Sequence, residues 1–126
     1  MECYFSSRLT EKLDDEQYNA ILSFYIPDAG IMFRARFKGA ASECEYASLL
    51  TLLEFVELNP QVFRDRTVEI YGDSFTVVNQ INSKMFCNKT LEPFRNMALL
   101  FKKKFSYSLA WIPERENPAQ NEIAAE

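Results

Sequence analysis

The stretch Val68–Ile81, VEIYGDSFTVVNQI, sets the tightest limit on how this chain folds. An apolar, β-branched run climbs to Tyr71, and helical spacing follows from Ser74, with only Gly72 and Asp73 between. A strand that passes straight into a helix predicts an α/β layer architecture, in which the next strand lies parallel and is reached by a right-handed crossover. The same turn puts a carboxylate at the carboxyl end of a strand, where such sheets gather their ligands.

The flanking sequence extends this pattern. MECYFSSRL reads as a strand, and Thr10–Ala20, polar and acidic, as a loop or short helical turn. ILSFYIP is a second strand, and Asp28–Gly30 a tight turn. In IMFRARFKG, Phe33, Ala35 and Phe37 fall on one face and Arg34, Arg36 and Lys38 on the other, the period of a strand. A helix is expected from Ser42, with Glu45 at capping-box spacing and Asn59–Pro60 at its end. TVEIYG is strand four, SFTVVNQINS a short helix, and LEPFRNMALLFKKKF a longer one with Pro93 in its first turn. SYSLAWIP is strand five, and ENPAQNEIAAE a final helix capped by Asn117. The order is β-β-β-α-β-α-α-β-α, and 126 residues suit one domain, 1–126, with one core.

Composition removes several function classes. The chain has no histidine, which excludes Ser–His and Cys–His catalysis and zinc sites of the Cys/His kind. Cys3, Cys44 and Cys87 lack motif spacing and read as reduced, buried thiols of a cytoplasmic protein. A net charge of −4 argues against a strong electrostatic grip on nucleic acid. No apolar run approaches membrane-spanning length and no signal peptide opens the chain, so no membrane association is expected.

Two acids stand out from the acidic background. Asp73 is either an N-cap of the helix that follows, a role Ser74 also fits, or a metal ligand, because Mg²⁺ takes hard oxygen donors from several elements. Glu45 is either the capping-box partner of Ser42 or a second ligand. Asp28 suits a turn for local reasons, and Glu114, Glu116 and Glu122 suit the start of a helix. Spacing alone leaves these alternatives open.

SECEYASLLTLLE, VEIYGDSFTVVNQI and LEPFRNMALLFKKKFSYSLAWIPERENPAQNEIA together resemble the ribonuclease H family, over about Gly39 to Glu126. The resemblance implies that family's fold, a five-stranded mixed sheet with helices on both faces. It also implies hydrolysis of the RNA strand of RNA–DNA hybrids by two Mg²⁺ ions held on four acids. Carried over by position, Glu45 falls on the helix acid and Asp73 on the strand-four acid. Ser6 falls on the strand-one acid and Asn121 on the last one, and both are neutral. Two Mg²⁺ carry four positive charges, and Glu45 with Asp73 offset half of them. The resemblance therefore predicts a degraded two-metal site: one weak Mg²⁺ at Glu45 and Asp73, and weak or absent nuclease activity.

The remaining function is then binding: a nucleic acid such as an RNA–DNA hybrid held weakly, a protein partner, or a second copy. The alternative is an active Mg²⁺-dependent ribonuclease H in which Glu122, Glu116, Asp28, Asp14 or Asp15 replaces a lost acid. A third reading makes Glu45 and Asp73 plain caps. The family's groove-reading polar residues are replaced by Ala41–Ser42 and Phe75, and its glycine-rich first hairpin by the acidic TEKLDDEQYNA. Lys102–Lys104 and the basic face of strand three read as solvated surface. Trp111 reads as core, and Phe75 and Phe86 as interface candidates.

Overall fold

The computed structural model describes residues 1–64 and 66–120. The elements run β1 (Glu2–Lys12), β2 (Tyr18–Ile26), β3 (Ile31–Gly39), α1 (Ala41–Leu58), α2 (Pro60–Phe63), β4 (Val68–Gly72), α3 (Phe75–Ile81), α4 (Glu92–Phe101) and β5 (Tyr107–Trp111). The strands form one mixed sheet in the order β3-β2-β1-β4-β5. β1, β2 and β3 pair antiparallel, while β1–β4 and β4–β5 are parallel. The expected α/β fold class and sheet are both present.

The core follows from strand alternation. Cys3 and Phe5 of β1, Val68 and Ile70 of β4, and Tyr107 and Leu109 of β5 are buried against Tyr46, Leu49, Leu52 and Leu53 of α1. Each aliphatic side chain so removed from water contributes about 1.5–3 kcal/mol. α1 packs on β1, β2 and α4, and α3 on β5. Cys3, Cys44 and Cys87 are free and buried, as expected, and burial pushes the Cys3 thiol up to about 12.

Four expectations change. The first hairpin is longer than its polar sequence suggests. β1 and β2 stay paired out to Lys12 and Tyr18, past an irregularity between Leu9 and Glu11. Asp14 then closes the turn by accepting from the N–H groups of Glu16 and Gln17, each at 2.8 Å. Side-chain capping in the turn lets an acidic segment remain a hairpin.

Second, α1 begins at Ala41, and Glu43, not Glu45, reaches back to the backbone N–H of Ala40 at 2.9 Å. Third, Trp111 is 45% exposed rather than in the core, because β5 is an edge strand. Its indole N–H donates to the carbonyl of Asp73 at 3.2 Å. Fourth, α4 stops at Phe101, ahead of the lysines. Lys104 pairs with Glu57 at 2.9 Å, and Lys102 lies over the Tyr107 ring, so the run lies against the protein's own surface. The expected final helix falls largely on residues outside those described, and Asn117 accepts from Ala119 N–H at 3.1 Å as a cap would.

Gly72 is the one glycine that close packing demands. A Cβ there would run into the ring of Phe5, its partner across the parallel β1–β4 pair. Gly72→Ala is expected to destabilise the fold by about 1–3 kcal/mol in urea denaturation, the range of an overpacked core.

Candidate active site

The parallel pairing of β1 with β4 puts Phe5 opposite Gly72. The next residue of each strand is therefore Ser6 and Asp73. Ser6, 1% exposed, donates to Asp73 Oδ2 at 3.0 Å. Asp73 and Glu45 border one cavity of about 290 Å³, together with Ser7, Arg8, Leu9, Ala41, Glu114 and Gln120. Elements distant in sequence thus bring together the two acids singled out from the sequence.

Neither acid is used as a cap. Ser74 caps α3, its hydroxyl oxygen accepting from Val77 N–H at 3.2 Å. Glu43 occupies the capping position of α1. Asp73 and Glu45 are left facing the cavity with their charge available.

Their electrostatics follow from that placement. Burial pushes the Asp73 carboxyl up to about 6. The Ser6 hydroxyl pulls it back, the Glu114 charge adds to the rise, and the Asn117 amide again opposes it. Burial also raises Glu45 above the ordinary carboxylate range, and the Ser74 hydroxyl partly offsets this. Two desolvated acids beside a third would favour an added positive charge. Arg8 is the cation bordering the same cavity.

The other sequence candidates scatter. Asp28 lies beyond the end of β2, where it accepts from Arg66 Nη2 at 3.0 Å and acts on Cys3 near the start of β1, and it does not border the cavity that Asp73 and Glu45 share. Asp14 and Asp15 sit in the hairpin turn, past the six further β1 residues Ser7–Lys12, at a rise of about 3.4 Å each from Ser6. Glu116 is exposed in the 3₁₀ turn Glu114–Glu116. Asn121 and Glu122 lie outside the described residues. Among the described residues, no group of three or more His, Cys, Asp or Glu side chains is arranged to hold a metal ion.

Two cavity residues were missed from sequence. Glu114 was read as a dipole complement, and Gln120 carried no signal. The Asn117 cap held the clue, since it fixes the turn that aims residue 120 at the sheet. Ser6 Oγ lies 2.7 Å from Gln120 Oε1. A larger depression of about 560 Å³ lies at the amino ends of β4 and β5, but its Arg66 and Lys104 are engaged by Asp28 and Glu57. Phe75, 56% exposed, meets Trp111 edge-on at 6.1 Å, beside Asp73.

The Asp73 shift has a sign that can be measured. An unfolded carboxyl titrates near 4, so the folded state holds a proton that the unfolded chain gives up between about pH 4 and 6. The ionised acid therefore disfavours folding above about pH 6, and the effect disappears below about pH 4. Asp73→Asn is expected to raise stability at pH 7.5 by on the order of 1 kcal/mol after allowance for solvent screening. The gain should fade as pH falls from 6 to 4 in thermal melts.

No protein-family model and no curated protein matches the chain. Solved structures do. RNase H1 from the halophilic archaeon Halobacterium salinarum superposes with a TM-score of 0.73 at 19% identity, over 96% of this chain and 91% of that one. LC11-RNase H1, isolated from compost by a metagenomic approach, gives 0.76 at 16% identity, over 97% and 91%. The same LC11 enzyme in complex with an RNA/DNA hybrid gives 0.73 at 15%, over 95% and 91%. At such identities the likeness carries the architecture, and on that ground this chain has the ribonuclease H-like fold.

Proposed function

We propose that this chain is a single ribonuclease H-like domain with a degraded two-metal site, weak or absent in cleavage, that acts by binding. The observation that carries the reading is Ser6: a neutral hydroxyl in the middle of β1 stands beside Asp73, where the family resemblance calls for an acid. Glu45 and Asp73 are the residues that would hold a single Mg²⁺, completed by water. Such an ion would supply Lewis-acid polarisation of a phosphate oxygen. The residues' own contribution is placement: Ser6 orients Asp73, Ser74 steadies Glu45, and Trp111 fixes the Asp73 backbone.

The charge of the hairpin favours weak rather than tight nucleic-acid contact. The long β1–β2 hairpin carries Glu11, Asp14, Asp15 and Glu16 at its end, and like charges repel a phosphate backbone. Exposed Phe75 and Trp111 beside the cavity suit a protein partner or a second copy. A second reading, an active nuclease with a remodelled acid set, draws support from Glu114, which borders the cavity and acts on Asp73.

The test is cleavage of an RNA–DNA hybrid with Mg²⁺ or Mn²⁺. The wild type is expected to run at least about 10²–10³-fold below a Ser6→Asp/Asn121→Asp variant that restores both acids. Robust wild-type cleavage abolished by Asp73→Asn would defeat the degraded-site reading. Loss of that cleavage with Glu114→Gln as well would establish the remodelled set.

A further inference from the structure

A cation among converging carboxylates offsets their charge and ties together the elements that carry them. The described residues supply a different tie. Ser6, buried at the centre of β1, lies 3.0 Å from Asp73 Oδ2 and 2.7 Å from Gln120 Oε1. Its hydroxyl carries one hydrogen, so it serves these two acceptors alternately or shares the proton between them. Gln120 Nε2 donates in turn to Glu114 Oε1 at 3.3 Å. Two neutral side chains thus bridge two acids, one after β4 and one after β5, that border the same cavity.

The backbone around Gln120 is anchored as well. Asn117 is 0% exposed, and its Nδ2 donates to the carbonyl of Phe5 at 2.9 Å. Its Oδ1 accepts from Ala119 N–H, and Ala119 is buried too. The side chain at 120 is therefore aimed at Ser6 by a fixed turn. An amide suits this place because it offers an acceptor to a hydroxyl on one side and a donor to a carboxylate on the other. A carboxylate at 120 would keep the first contact and set a like charge against Glu114.

The geometry points to Gln120 as an internal bridge that stands in for a bound cation, joining Ser6 to Glu114, holding the 117–120 turn on the sheet, and engaging the acids that a divalent ion would otherwise draw together. This rests on the degraded-site reading and deepens it: the bridge engages Asp73 and Glu114 through neutral partners, and Glu45 alone stands outside it. Gln120 acts through Ser6 and Glu114 and is a positioning residue.

Thermal melts in EDTA and in Mn²⁺, with calorimetric Mn²⁺ titration, test the bridge without reference to activity. The wild type is expected to melt alike in both. Gln120→Glu is expected to melt lower in EDTA, recover in Mn²⁺, and bind Mn²⁺ at least about tenfold tighter than wild type. Gln120→Ala, a milder change that keeps the fold testable, is expected to melt lower in both, because it removes the bridge without adding a charge for the ion. Wild-type behaviour in both variants would overturn the bridge and leave the degraded-site reading standing. A wild type stabilised by Mn²⁺ as strongly as Gln120→Glu would also overturn the bridge, while leaving room for the single ion that Glu45 and Asp73 would hold.

Discussion

The parallel contact between β1 and β4, with the Phe5 ring lying against Gly72, is the constraint on which the rest depends. It brings residue 6 beside residue 73 across 67 positions of sequence. Parallel strands need a long crossover, and here it comprises β2, β3 and α1 as well as α2. Because α1 packs on β1 and β2, the same crossover carries Glu45 to the tip of β4. The placement of the site follows from the packing that closes the core.

What occupies this geometry is an electrostatic compromise. Asp73 and Glu45 are drawn partly out of water, which raises both, while Ser6, Ser74 and Asn117 return some hydrogen bonding. Hydroxyls and amides satisfy lone pairs but add no positive charge, so they stabilise an acid without inviting a second anion. Buried polar groups persist when they are paired, and Ser6 and Asn117 are both paired.

Local signals explain which parts of the fold were legible. Strand alternation in β3 and β4 and the Gly–Asp–Ser passage into α3 are written in short windows, where period and turn chemistry decide. The hairpin end, Trp111 and the start of α1 were not, for separate reasons. Thr10–Ala20 is polar because the hairpin's end is solvated, not because it lacks a strand. Trp111 resembles a core residue until β5 proves to be an edge. Ser42 and Glu45 had capping spacing, but the chain enters the helix one residue earlier and Glu43 takes the role.

The sequence alone determined the α/β architecture, because hydrophobic period and turn residues are local properties, and it singled out Glu45 and Asp73 while leaving cap and ligand open. The family resemblance, rather than spacing, set Ser6 at the position of an expected carboxylate. Only the tertiary structure decided that Ser74 and Glu43 perform the capping and so leave those two acids facing a cavity. Only it brought Glu114 and Gln120 to the same place. Hydrogen-bond partners across a sheet are set by register and by the direction of each chain, and no stretch of contiguous residues encodes either.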